Sequence, residues 1–143
     1  MRSSPTRYIL DHTRSTAKYL QEANLCRTYG LKTKRELGVA RALLQKYRAV
    51  VKSTNPAVIL PAVAKLVSLG LLETPSKEQI LTLTIESFLD RRLQTLVTKK
   101  LKITPRAARQ LITHGHVTVA GIKKKFPGYL IRVSNENLLQ ITT

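Results

Sequence analysis

Residues 106–119 read RAARQLITHGHVTV, and the reading of this stretch decides the fold. Its first half places Ala107, Ala108, Leu111 and Ile112 at helical spacing, and its second half, after Gly115, alternates apolar and polar residues as a strand does. A helix therefore gives way to a β-strand here, and His114 and His116 flank the glycine that supplies the turn. Upstream, "ITPRAARQ" offers Thr104 as a cap and Pro105 at the first helical position, where a missing N–H costs nothing. Downstream, "HVTVAG" and "GYLIRV" are β-rich, with "AGIKKKFPG" between them as turn, basic strand and turn. Before it, "TIESFLDRRLQTLVTKK" predicts one longer helix from Thr84 as cap, burying Phe88 or Leu89, Leu93, and Leu96 or Val97. The last third is thus helix, helix, small sheet.

The rest is helical. Residues 14–29 predict a helix with Ala17, Leu20 and Ala23 on one face, ended by Gly30. Thr33 and Glu36 have capping-box spacing, and Leu37, Ala40, Leu44, Tyr47 and Val51 follow with the period of a core-facing stripe. On that helix Lys34, Arg41, Arg48 and Lys52 form a second stripe of one sign, rotated roughly a quarter-turn at ~100° per residue, which suggests a phosphate-facing flank. Pro61 is expected to open a helix that runs to Leu69 and stops at Gly70, and "ETPSKEQ" to form a polar turn. The expected fold class is α+β, mainly helical. It divides into a basic arm (1–13), a helical body (14–89), a helix-helix-sheet module (90–134) and a C-terminal segment (135–143) packing back on the body or on RNA.

Charge narrows the function. Among 143 residues, 25 Lys and Arg face 8 Asp and Glu, a formal net charge of +17. Residues 1–52 carry a net +9, residues 90–143 another +9, and the middle block 53–89 a net −1. Two cationic surfaces around a neutral apolar centre imply a polyanionic partner that relieves the self-repulsion. With no Trp and 2 Phe, the core must be aliphatic. The single cysteine, Cys26, excludes a disulfide framework and any multi-cysteine zinc site, and suggests a reducing compartment. No apolar run is long enough to span a membrane. The Arg- and Ser-containing N-terminus faintly resembles a mitochondrial transit peptide, although a basic arm lying on a polyanion suits the rest better.

Catalytic and metal readings fail on residue types. Zinc held by His114 and His116 needs a third protein ligand, yet the only other histidine is His12 and no acid lies between Arg91 and Asn135. Asp90 and Glu86 are ordinary helix acids, and neither a nucleophile elbow nor a phosphate-cradling glycine motif occurs. No cofactor, metal or small-molecule substrate is expected.

The polyanion reading uses what is present. Arg106 and Arg109, three apart, share a face at a helix start where backbone N–H groups already favour phosphate. Arg91 and Arg92 add guanidinium forks, Lys99 and Lys100 project elsewhere on their helix, and Lys123, Lys124 and Lys125 decorate the hairpin. His114 and His116 can hydrogen-bond phosphate or sugar. Zipper heptads and interleaved aromatic residues are missing, so shape-directed binding to folded RNA fits better than DNA recognition or base stacking.

"FLDRRLQTLV", "PRAARQLITHGHVTVAG" and "PGYLIRV" closely resemble the RNA-binding module of the S-four family of small-subunit ribosomal proteins (protein nine in eukaryotic naming). "YGLKTKREL", "LVSLGLL" and "LTLTIESFL" are similar to that family's archaeal and eukaryotic branch, over about residues 14–134. The resemblance implies a structural, non-enzymatic protein of a cytoplasmic ribosome. It implies primary binding of a 16S- or 18S-like rRNA at a multi-helix junction, neighbouring ribosomal proteins as partners, and a place near where mRNA enters, with roles in assembly and decoding accuracy. The family's RNA contacts fall on Arg91, Arg92, Arg106, Arg109, His114, His116 and Lys123. An RNA-modifying enzyme or a free stress-response RNA binder using the same module, and a mitochondrial ribosome, are the alternatives. With only Cys26, the chain cannot build the zinc knuckle of many bacterial members, and segment 53–60 looks shortened.

Overall fold

A computed structural model describes residues 5–53 and 55–142, with side chains from residue 16 onward. Aliphatic residues sort into two clusters whose border falls between Leu89 and Leu93. The first is the body. Helix α1 (Pro5–Thr28) leads into α2 (Lys34–Lys52), α3 (Pro56–Ser68), α4 (Lys77–Thr82) and α5 (Ile85–Asp90). Leu37, Ala40, Leu44 and Tyr47 of α2 are buried against α3, α4 and α5, as the stripe predicts. Tyr47 stacks on Phe88 with ring centroids 6.0 Å apart.

The second cluster is the module. Helices α6 (Leu93–Leu101) and α7 (Pro105–Thr113) pack on each other and on a sheet of β1 (Val117–Val119), β2 (Ile122–Lys123) and β3 (Leu139–Ile141), with α8 (Val133–Glu136) before β3. The sheet is antiparallel in the order β2-β1-β3, with Thr118 opposite both Lys123 and Gln140. The Thr104 hydroxyl accepts from the Ala107 N–H at 3.3 Å with Pro105 at the first helical position, so α7 starts where its sequence predicts. Ala108 and Ile112 are fully buried, while Ala107 and Leu111 are half-buried. Gly115, at φ +81°, takes the left-handed conformation that turns the chain from α7 into β1.

Several expectations are corrected by tertiary contacts. The single helix from Thr84 is two, broken at Arg91–Arg92 without glycine or proline. Loop 127–131 pairs with this segment and leaves Arg92 extended: Leu93 N–H donates to the Tyr129 carbonyl at 2.7 Å and Ile131 N–H to that of Arg91 at 3.1 Å. "GYLIRV" forms only the isolated bridge between Leu130 and Arg92, and the third strand comes instead from the C-terminal segment, which completes the module's sheet. Pro61 sits inside α3, because Pro56 occupies the first turn behind a working cap: the Asn55 side chain accepts from Ala57 N–H at 3.0 Å. Within "ETPSKEQ", Ser76 caps α4, a helix the polar composition hides. Helix α1 already includes residues 5–13 of the expected arm, whose residues 1–4 lie outside the described part. Ala17 and Leu20 are exposed, and α1 meets the core through Leu25 and Cys26, joined by Tyr29 just past its end.

Candidate nucleic-acid interface

Glu36 lies where the body meets the module. Its carboxylate was expected to close a capping box with Thr33, but Thr33 makes no side-chain cap. Glu36 instead accepts from Arg92 at 2.5 Å and from Arg109 at 2.8 Å, joining α2 to the start of α6 and the middle of α7. Burial works against charging Glu36, but hydrogen bonds from Arg109 and Arg92 outweigh it and hold the carboxyl below the usual glutamate range. Beside it Gln94, 1 % exposed, donates to the carbonyls of Gly30 at 3.1 Å and Pro105 at 2.9 Å and accepts from Arg109 at 3.4 Å. Gly30 has φ +59°, and a Cβ there would collide with Pro105.

This seam bears on the expected interface. Arg92, 6 % exposed and bonded to Glu36, has almost no free surface, and its guanidinium ties the body to the module. Arg109 shares a helix with Arg106 but turns inward to Glu36, while Arg106 is exposed. Arg91 is half-buried, bonded to Glu136 at 3.0 Å and to the Ile131 carbonyl at 3.2 Å. Lys100 Nζ donates to the Leu139 carbonyl at 2.6 Å and anchors β3, and Lys99 forms an exposed pair with Asp90 at 3.0 Å.

The body stripe is similarly divided. Arg41 bonds Glu22 at 2.7 Å, and Arg48 donates to the carbonyls of Leu81 and Leu83 at 3.3 and 2.9 Å, closing the end of α4. Lys34 lies 4.3 Å from the Tyr19 ring centre, and Lys52 is exposed.

The solvent-exposed cations of the module differ. Arg106 on the first turn of α7, Lys123 on β2, and Lys102, Lys125 and Arg132 on loops are exposed and have no ion-pair partner among the described residues. Lys124, half-buried, lies 4.8 Å from the Tyr129 ring centre. His114 ends α7, and His116 follows Gly115 into β1; both are exposed and border an open groove of about 560 Å³. Sequence reasoning missed Lys102 and Arg132. Lys102 occupies a left-handed position (φ 53°) usually given to glycine, and Arg132 was assigned to a strand that does not form. The seam role of Glu36 is hidden behind its capping-box spacing with Thr33, and that of Gln94 has no sequence signal beyond a lone amide in basic surroundings. Among the described residues no group of three or more His, Cys, Asp or Glu side chains converges, and no helix is long and apolar enough to cross a membrane.

A helix pair and small sheet that present exposed cations, seated on a helical body through an ion-paired seam, define a protein built to present a basic module. Residues 91–137 match the S4 domain. Small ribosomal subunit protein uS4 of Saccharolobus solfataricus is 42% identical over 130 residues, spanning 82% of this chain and 71% of that protein. The uS4 proteins of Korarchaeum cryptofilum and Ignicoccus hospitalis are 38% and 37% identical, spanning 86% and 85% of this chain and 80% and 79% of their own. The chain belongs to the small ribosomal subunit protein uS4 family.

Proposed function

We propose that this protein is a structural, non-enzymatic constituent of the small ribosomal subunit that binds and holds its rRNA. The observation that carries the reading is the sorting of charge. Cations near the seam are used up on Glu36, Glu136 and backbone carbonyls, whereas Lys102, Arg106, Lys123, Lys125 and Arg132 have no ion-pair partner among the described residues. Unpaired cations on a rigid support suit the sugar–phosphate chain of a folded RNA, whose regular helices are recognised through shape, phosphates and 2′-hydroxyls. Helix α7 sets Arg106 beside backbone N–H groups of its first turn, which adds to the pull on phosphate. On the body, Lys34 and Lys52 supply a second, weaker contact surface. Arg91, Arg109, Lys99 and Lys100 act mainly by fixing the module's shape. A multi-helix rRNA junction, neighbouring ribosomal proteins and the region where mRNA enters are the partners this placement suits, with roles in assembly and decoding accuracy. The archaeal relatives favour a cytoplasmic ribosome over the mitochondrial alternative. The relatives, each named as a ribosomal protein, favour the structural reading over an RNA-modifying enzyme.

The test is binding of full-length protein to a small-subunit rRNA transcript across a salt series. Reversing Arg106 and Lys123 together should flatten the log–log salt slope by about 1.4–1.8, at roughly 0.7–0.9 per phosphate contact, with helicity unchanged. Wild-type affinity and slope in that variant would remove the module's edge from the interface.

A further inference from the structure

The largest groove described in this +17 protein carries no lysine, arginine or carboxylate among its lining residues. Ile103, Ala107, Gln110, Leu111, His114 and His116 line an open groove of about 560 Å³ beside α7. Ile103 and Leu111 are half-buried and pack on the module's core, so that side of the groove is apolar and fixed. Gln110 and His114 flank Leu111 on the same face of α7, with His116 just past Gly115, and none of the three side chains has a hydrogen-bond partner among the described residues. Cations stay at the border: Lys102 and Arg106 neighbour the lining residues in sequence, and Lys125 passes close to Gly115, between the two histidines.

A phosphate would find no lysine or arginine lining this groove and would have to leave water for an apolar wall. A flat heteroaromatic ring would find a surface to lie on, imidazoles to stack against, and donors and acceptors along its edge. We propose that the groove receives a single unpaired nucleobase of the RNA, with Lys102, Arg106 and Lys125 holding the flanking sugar–phosphate. The inference rests on the rRNA-binding reading and adds to it a site that reads a base. Unstacked bases are recognised by such pairing of a stacking side chain with hydrogen bonds to the base edge. A volume of this size falls within the range of small-molecule sites, roughly 300–1,000 Å³, and accommodates a nucleoside.

Full-length protein with labelled methyl groups and imidazoles is titrated by NMR with each of the four nucleoside 5′-monophosphates and, separately, with ribose 5-phosphate, which keeps sugar and phosphate but lacks the base. At least one nucleotide should shift the Ile103 and Leu111 methyls and the His114 and His116 ring protons at millimolar concentration, and ribose 5-phosphate should not. Gln110→Ala combined with His114→Ala, both exposed, should weaken that binding roughly tenfold with an unchanged melting temperature. Equal shifts from ribose 5-phosphate would mean that the groove takes phosphate, and silence from all four nucleotides would mean that it takes no base; either overturns the proposal. The same variant is then tested on the rRNA transcript. Failure of wild-type protein to bind the transcript defeats the rRNA reading itself, whereas wild-type affinity in the double variant defeats only the base site.

Discussion

The seam and the solvent-exposed edge of the module hold the same kinds of side chain put to opposite uses. At the seam, Arg92 and Arg109 share one carboxylate and face inward; at the edge, Arg106, three residues from Arg109 on the same helix, faces out unpaired. Net charge describes both regions equally and separates neither. What separates them is Glu36, an acid more than fifty positions away in sequence from both arginines it holds. In a protein this basic the few acids identify the structural cations, and the cations left over are the ones available to a partner.

The largest expected effect comes from breaking the seam. Glu36→Ala leaves Arg92 buried without its counter-charge and should cost about 3 kcal/mol in chemical denaturation. A loss under about 1 kcal/mol would mean that water or other groups satisfy Arg92, and the contrast between the regions would weaken. Next is Gly30→Ala, which adds a Cβ facing Pro105 at a positive φ and should cost about 2 kcal/mol in thermal unfolding.

The sharpest contrast pairs Arg109→Ala with Arg106→Ala. The first should lower stability by about 1.5 kcal/mol, the loss of a hydrogen-bonded charge partner. The second should leave stability unchanged while reducing the salt slope of rRNA binding by about one phosphate contact. The reverse pattern would exchange the roles assigned to the two arginines.

Acid titrates the seam. Because the folded-state pKa of Glu36 is depressed, the unfolded chain takes up its proton first as pH falls. The contribution is complete above the ordinary glutamate range and disappears as pH drops through the depressed folded value. Wild-type protein should therefore lose more stability than Glu36→Gln across that acidic interval, as followed by urea midpoints. The smallest effect is expected from Lys99→Ala, which removes an exposed pair with Asp90 and should change stability by less than about 0.5 kcal/mol.

Where local rules suffice, the sequence is readable. Thr104 and Pro105 mark the start of α7, the stripe of α2 marks its buried face, and the switch of period after Gly115 marks β1. Legibility fails where distant backbone intervenes. Residues 84–100 have no helix breaker, and their break arises from pairing with loop 127–131, invisible to any local window. Pro61 was placed by the rule that proline opens helices, when Pro56 satisfies that rule behind the Asn55 cap. The site divides likewise. Arg106 and Lys123 are exposed on the module as expected, whereas Arg92 looks identical to them in sequence and differs only because Glu36 reaches it.

Strand β3 has a consequence for biosynthesis. The central strand β1 is translated about twenty residues before its partner β3, which must clear the exit tunnel before the sheet is complete. The body's helices, whose core is finished by Leu89, can settle earlier, so a nascent chain carries a folded shoulder before it carries a finished grip. A product cut short before Leu139 would keep the former without the latter, and such stalled fragments would compete poorly for a place in an assembling particle.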